Sequence, residues 1–278
     1  MWQVYAMPKY FFNKIIGPGQ ILQLEGELEH HLKRVLRVRL GERVILCNGE
    51  ALDFHCVIKS LEPLTIIVES YEESRTELPC KITLYQAMPK SDKLEWIIQK
   101  SVELGVHSIV PVYTEHSVVR HKSDHGHNAH SQNIKMARYQ KIAEAAAGQS
   151  MRGIVPKVHL PMSWDNALEM TMAHKVDGGL IIAAHEKEQK QTIKTALNNK
   201  CYFSNNISSN INSSNTNPPK IPNEIGLWIG PEGGFSEKEV GVMEKLGVEL
   251  ISLGPRILRT ETATIAALAQ IILIIEEG

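Results

Sequence analysis

This sequence of 278 residues is short of several things, and each shortage excludes a class of protein. It has four cysteines, Cys47, Cys56, Cys80 and Cys201, and no C-x-x-C pair among them. Neither a zinc site nor a disulfide framework is therefore expected, and scattered thiols fit a reducing compartment, the cytoplasm. Net charge is also lacking: the formal value is −1 and the pI about 6.9. No global field draws the chain to nucleic acid, so any such binding has to come from local patches. The longest apolar run, residues 263–275, contains Gln270 and falls short of the roughly 20 residues a membrane helix needs. It reads as a buried core helix, and no membrane partner is expected. The first residues lack the charged-then-apolar pattern of a secretion signal. There is no G-x-G-x-x-G fingerprint and no P-loop lysine, which argues against a dinucleotide site and against a phosphate-binding enzyme of that type. No internal repeat is apparent.

What is present is enough apolar sequence, 43%, to bury a real core. Residues 1–78 read as β-rich. Short apolar or alternating segments at 21–24, 43–48, 53–60 and 64–70 are punctuated by Gly17-Pro18-Gly19, Gly41 and Asn48-Gly49, and Asn-Gly is a strong hairpin signal. A helix over 27–38 interrupts what reads as a small β-barrel. From residue 79 onward strands and helices alternate. Strands are expected at 81–88 and 108–113, and ending at Ala184, Gly230 and Gly254. Helices are expected at 92–104, with Asp92 and Glu95 as a capping box, at 134–147, and after Ser236, whose capping partner is Glu239. Such alternation implies an α/β domain, 79–278, built on a mostly parallel sheet. Two stretches fall outside the pattern. The segment 116–133 is polar and holds His116, His121, His125, His127 and His130 with no carboxylate or cysteine framework, so no metal is expected there. Residues 204–220 are Asn/Ser-rich and read as a disordered insertion.

The most informative sequence is the last fifty residues. Two apolar strands, one ending in Gly230-Pro231-Glu232-Gly233-Gly234 and one in Leu253-Gly254-Pro255-Arg256, each run into a Gly-Pro turn. Glycine admits backbone shapes closed to other residues and lets main-chain amides approach a ligand; proline stops the strand. Two such turns at neighbouring strand ends would form one pocket at the carboxyl edge of the sheet, where open α/β sheets bind ligands. A single glycine turn is more often a mere connection. The second turn, however, runs on through Ile257-Leu258-Arg259-Thr260-Glu261-Thr262-Ala263, and a purely structural junction seldom needs Arg256, Arg259 and Glu261 together.

Basic residues cluster locally. Lys33, Arg34, Arg37, Arg39 and Arg43 lie close together, interleaved with Leu32, Val35, Leu36 and Val38. The cations can meet phosphates while the apolar side chains hold the segment to the barrel. A solvated helix face is the competing reading, since residues 1–79 carry 9 Lys/Arg against 11 Asp/Glu. Lys90, Lys93 and Lys100 form a second set, and Arg138, Lys141 and Arg152 a third.

Taken together, these segments resemble the RsmE family of the SPOUT superfamily, and the resemblance covers nearly the whole chain. It rests on His31 and Val35-Leu36-Arg37; on Lys90, Lys93, Gln99-Lys100 and Glu103-Leu104-Gly105; on Arg138 and Gln149-Ser150-Met151-Arg152; and above all on the two Gly-Pro turns. The chain departs from the family in Gly148, where Glu is common, in Glu115-His116-Ser117 in place of Glu-Arg-Ser, and in the 204–220 insertion.

The resemblance implies a PUA-like RNA-binding barrel over 1–78 and a trefoil-knotted methyltransferase domain over 79–278. It implies transfer of a methyl group from S-adenosylmethionine to N3 of a uridine in 16S ribosomal RNA, within the small ribosomal subunit, by a homodimer. Gly230, Pro231, Gly233, Gly234, Leu253, Gly254, Leu258, Arg259, Thr260 and Thr262 are then the candidates for holding the cofactor. Arg34, Arg37, Lys90, Lys93, Arg138 and Arg152 are candidates for RNA. N3 of a neutral uridine carries a proton and is a poor nucleophile. Arg259 is therefore expected to stabilise negative charge on the uracil oxygens, with a salt bridge to Glu261 as the alternative. Glu232 is expected to serve as general base or to position the base, with a cap on its own turn as the alternative. Arg152 would hold a phosphate or complete the site across the dimer. Two rival functions keep the fold: methylation of another RNA site, and a non-catalytic RNA-binding assembly factor.

Overall fold

The computed structural model describes residues 9–12, 14, 16–90, 93–118, 129–176, 178–203 and 221–277. The chain divides into two compact units. One comprises Met1–Glu77 together with Glu144–Val155, and the other Leu78–Ala143 with Pro156–Gly278. The segment Glu144–Val155 thus joins the N-terminal unit, although the sequence assigned it to the second domain.

The first unit contains β1 (Lys9–Phe11), β2 (Ile21–Gln23), α1 (Gly26–His30), β3 (Arg43–Cys47), β4 (Leu52–Leu61) and β5 (Leu64–Glu73). The strands form one sheet in the order β1-β3-β4-β5-β2, antiparallel except for β1 on β3. Alternating residues of the strands, among them Val44, Leu46, Phe54, Ile58, Leu64 and Ile66, form the core. The Asn48-Gly49 signal resolves to the β3–β4 hairpin. Gly49 takes φ 80°, and Asn48 Oδ1 accepts from the amides of Glu50 and Leu52 at 2.9 and 3.1 Å.

The helix expected over 27–38 is shorter and irregular. After α1 the chain continues as a π-helical turn, His31–Leu36, and Arg37 ends it in the left-handed region at φ 55°. Only Leu32 and Val38 of the apolar residues there are buried; Val35 and Leu36 are exposed, as is Leu40. They do not hold the segment down as expected: the wider π turn carries Val35 away from the face that Leu32 occupies, and Leu36, at the end of that turn, stays exposed.

The second unit is built from β6 (Lys81–Ala87), α2 (Lys93–Glu103), β7 (Ser108–Tyr113), α3 (Ala129–Gln149, whose end belongs to the first unit), β8 (Lys157–Val158), β9 (Met162–Ser163), α4 (Trp164–Val176), β10 (Leu180–Ala184), α5 (Ile193–Phe203), β11 (Glu224–Ile229), α6 (Glu237–Lys245), β12 (Glu249–Ile251) and α7 (Thr260–Glu277). Its sheet runs β12-β10-β11-β6-β7-β8, with β9 also on β7, and every pairing is parallel. Strands such as β11 are near-continuously buried, as expected for a parallel sheet covered on both faces. Trp228 on β11 anchors one face. It stacks on Tyr85 at a centroid distance of 4.7 Å and donates its indole N–H to Thr171 Oγ1 at 3.2 Å. The Ser236–Glu239 capping box at α6 is present in full. Helix α3 begins at Ala129, inside the stretch read as a polar loop, and β1, β8, β9, α4 and α5 were not anticipated. Asp92, His121, His125, His127 and the insertion 204–220 lie outside the described residues.

Candidate functional site

The register of the parallel sheet fixes where the functional turns emerge. Ile229 pairs with Gln86, Ala183 with Trp228, and Ala184 with Ile251. The carboxyl ends of β6, β11, β10 and β12 therefore stand side by side. Beyond them opens a cleft of 260 Å³ whose walls are residues 229–235 on one side and Leu253, Gly254, Arg256, Ile257 and Leu258 on the other. Ala184, His185 and Glu186 close it from β10, and Thr260 and Ala263 from α7. Gly230 and Leu258, which the sequence could bring together only by argument, line the same cavity. The turns are shaped by glycine. Gly234 takes φ 69° and Gly254 φ 106°. A methyl group built on Gly254 would meet no atom nearer than 4.0 Å, so its Cα presents bare main chain.

A buried polar chain ties the two walls together. Gln86, on β6, has no exposed surface. Its Nε2 donates to Thr260 Oγ1 at 3.0 Å and to Ala87 O at 3.0 Å, and its Oε1 accepts from Thr264 Oγ1 at 2.7 Å. Thr260 Oγ1 in turn donates to Gly230 O at 2.7 Å. The first turn of α7 is thereby held against the end of β11 with every side-chain group of the amide used. Thr260, expected to hold cofactor, spends its hydroxyl on the wall itself. Gln86 and Thr264 were missed because a glutamine inside an apolar strand and a threonine inside an apolar helix give no signal until their partners are known.

Glu232 and Lys93 form the second tie. Glu232 Oε1 accepts from Lys93 Nζ at 3.0 Å and from the Lys90 amide at 3.2 Å. Lys93 Nζ also lies 3.2 Å from Glu261 Oε2, an ionic contact without hydrogen-bond alignment. Partial burial pushes the Glu232 carboxyl up, but its own backbone amide, Lys93 and the Lys90 amide together outweigh burial and hold it below the usual carboxylate value. Lys93 is raised, chiefly by Glu232 and then by Glu261. The lysine expected to meet RNA is thus engaged with two glutamates, and Lys90 contributes an amide here while its side chain is exposed.

Arg259 is exposed and does not line the cleft. Among the described residues no ion pair engages it, and Glu261, its alternative partner, turns to Lys93. Thr262 is exposed and outside the lining as well. Arg152 lies in the first unit and is 2% exposed; its guanidinium meets both oxygens of Glu77. Glu77 Oε1 also accepts from the amides of Gly153 and Ile154 at 2.9 and 3.1 Å. That placement makes Arg152 a clasp for Glu144–Val155, where the sequence reading had expected a catalytic or RNA-contacting residue. Lys9, buried, reinforces the clasp by donating to Asp53 Oδ2 at 2.8 Å and Met151 O at 3.1 Å. Arg138 is exposed and bonded to Glu95 at 2.7 Å. Arg34 and Arg37 are exposed in the first unit. His116 Nδ1–H donates to the carbonyls of Gly233 and Gly234, each at 3.2 Å, so the turn after β7 braces the glycine turn. No cluster of metal ligands occurs among the described residues.

A parallel α/β sheet with a main-chain-lined cleft at its carboxyl edge, joined to a β-rich unit, defines a class. The family model for an RNA methyltransferase domain matches residues 76–272, and that for an RNA methyltransferase PUA domain matches 24–69. The chain is an RNA methyltransferase by family. The ribosomal RNA small subunit methyltransferase E of Bacillus subtilis is 33% identical over 272 residues, 95% of this chain and 96% of that protein. That of Synechocystis is 30% identical, covering 95% of this chain and 78% of that protein. Among solved structures, the Neisseria gonorrhoeae ribosomal RNA small subunit methyltransferase E bound to S-adenosyl methionine superposes with a TM-score of 0.77 at 27% identity, over 97% of this chain and 98% of that one. A putative methyltransferase of Legionella pneumophila in complex with the same cofactor gives 0.74 at 30% identity, over 97% and 98%. This chain belongs to the ribosomal RNA small subunit methyltransferase E family.

Proposed function

We propose that this protein methylates N3 of a uridine in 16S ribosomal RNA, with S-adenosylmethionine as donor. The single observation that carries the reading is that two Gly-Pro turns, from the parallel strands β11 and β12 on either side of β10, wall one cleft. The residues present fit the cofactor. Bare main chain at Gly230, Gly233 and Gly254 suits an adenosine edge, Ile229 and Leu258 supply apolar wall, and a carboxylate at Glu186 suits a cationic ligand. The cofactor, when bound, supplies an electrophilic methyl group on a sulfonium centre. The chain has to present a uridine whose N3 loses its proton as it gains the methyl.

Arg259 is the residue we assign to the uracil anion. It is exposed at the start of α7, next to the cleft, with no internal partner among the described residues. A guanidinium there stabilises charge building on the uracil oxygens. Glu232 is less suited to be the base, because a carboxyl held below its ordinary pKa is a weak acceptor for a proton on a nitrogen that titrates above neutrality. Its role in this reading is to fix the turn through Lys93, and the proton leaves to solvent as Arg259 stabilises the anion. Gly230, Pro231, Gly233, Gly234, Leu253, Gly254 and Leu258 form the cofactor wall.

RNA would be gathered by the exposed Arg34 and Arg37, beside the exposed Val35, Leu36 and Leu40, and by Lys90 and Arg138. The small-subunit particle as substrate, the homodimer and the threaded C-terminus belong to the same reading. Exposed Trp96 on α2, Ile257, 90% exposed, and Leu273 on α7 support a second copy as partner. The sheet order, with β12 beyond β10 and not beside β11, supports the threaded reading. Incubating small subunits that lack the modification with this protein and labelled cofactor tests the reading: label in N3-methyluridine is expected, and label in a ribose 2′-oxygen or in no nucleotide would refute it.

A further inference from the structure

The turn that leaves β10 carries several charged side chains, and most have visible work inside the protein. Lys187 pairs with Glu237 at 3.2 Å. Glu188 Oε1 accepts from the amides of Gln189, Lys190 and Gln191 at 3.0, 2.7 and 3.0 Å, closing the turn on itself. The backbone is pinned on both sides of Glu186: the His185 amide donates to Ile251 O at 3.0 Å, and the Glu188 amide to His185 O at 3.2 Å. Glu186 itself has no hydrogen bond or ion pair to any described residue, yet it lines the cleft. The other carboxylate in the lining, that of Glu232, is occupied by Lys93, which also pairs with Glu261 outside it.

Its position depends on a missing side chain. A methyl group built on Gly234 would stand 2.9 Å from Glu186 Oε1 and 3.2 Å from Oε2. The carboxylate lies in the space that glycine leaves open, against the turn that forms the opposite wall. A carboxylate is an acceptor only, and this one, exposed on its turn, meets solvent donors that a ligand in the cleft can replace.

We propose that Glu186 is a cofactor-binding residue, whose carboxylate accepts hydrogen bonds from the polar donors of the adenosyl ligand, the ribose diol or the α-ammonium of the amino-acid tail. The inference rests on the reading of the cleft as an adenosyl site and adds to it a carboxylate side chain that the sequence did not single out. The test is calorimetric binding of S-adenosylhomocysteine and of 5′-methylthioadenosine, which keeps the ribose but lacks the tail, to the full-length protein and to its Glu186→Gln and Glu186→Ala variants. Glu186→Ala weakens binding about tenfold or more, the scale of a lost charge-assisted hydrogen bond, with Glu186→Gln between it and the native protein. Loss with both ligands assigns the diol; loss with S-adenosylhomocysteine alone assigns the ammonium. The melting temperature without ligand stays unchanged, since the side chain bonds no described residue. Native-like affinity of Glu186→Ala for both ligands overturns the proposal and leaves the site intact. A native protein that binds neither ligand overturns the proposal together with the reading beneath it.

Discussion

Lys93 was expected among the RNA contacts, in a basic set with Lys90 and Lys100, and Arg259 at the uracil oxygens, with a salt bridge to Glu261 as the alternative. In the structure Lys93 reaches Glu232 and Glu261, and Arg259 is left outward. Charge pairing along the sequence cannot reveal this, because the partners come from α2, the turn after β11 and the first turn of α7. Two predictions belong at this scale. Arg259→Ala lowers the methylation rate by about two to three orders of magnitude, as loss of a preorganised charge does, while calorimetric affinity for S-adenosylhomocysteine and melting temperature hold. Turnover at the native rate removes the arginine from the chemistry. The second concerns pH. The Glu232 carboxyl is lowered from 4.5, so its contribution is present above 4.5 and is lost as pH falls through the lower folded value. The Lys93 ammonium is raised from 10.5, so its contribution is present below 10.5 and is lost as pH rises through the higher folded value. The melting-temperature difference between the native protein and Lys93→Met is therefore flat between those limits and shrinks outside them. A step near neutrality would show that another group sets the clamp.

At the scale of elements, the turns were the legible part and the ties between them were not. Gly230-Pro231 and Gly254-Pro255 stand at the ends of β11 and of the strand that becomes β12 because glycine and proline act locally, and local chemistry is written in local sequence. The Ser236–Glu239 box at α6 was readable for the same reason. The helix after residue 26 was not: its apolar spacing allows an ordinary α-helix, and the π turn with a left-handed Arg37 is decided by packing of Leu32 and Val38 onto the β-core. Gln86 and Thr264 acquire meaning only when β6, β11 and α7 meet. Gln86→Leu removes one hydrogen bond from each of the Thr260 and Thr264 hydroxyls, which keep Gly230 O and Thr260 O as acceptors, and costs about 0.5–1.5 kcal/mol for each bond lost. Urea unfolding measures it, and the same variant weakens cofactor binding because the Thr260 hydroxyl that meets Gly230 O loses the donor that orients it. Stability equal to the native protein would mean the amide network is incidental. Gly234→Ala is damaging through a left-handed φ of 69°, whereas the exposed Glu186 carboxylate that the new methyl group would meet can swing aside.

For the molecule as a whole, a near-neutral chain has to reach RNA through restricted patches, and the exposed Arg34 and Arg37 of the first unit are the ones proposed for it. Replacing either with alanine should lower the salt slope of RNA binding by about one. The division into a β-rich unit and a parallel α/β unit was legible where short strand-like segments give way, from residue 79, to alternating strands and helices. The return of Glu144–Val155 to the first unit was not, since it depends on Arg152 finding Glu77 and Lys9 finding Met151, partners far away in sequence. The cleft itself brings together strand ends separated by most of the second unit, and its use for methyl transfer is the claim on which the rest depends. The direct measurement is mass-spectrometric mapping of the nucleosides in small-subunit RNA after incubation with the purified protein and S-adenosylmethionine carrying a labelled methyl group. The account predicts a single labelled species, N3-methyluridine, that disappears with Arg259→Ala. Label on any other atom of the RNA, or none while the cofactor binds, would contradict it.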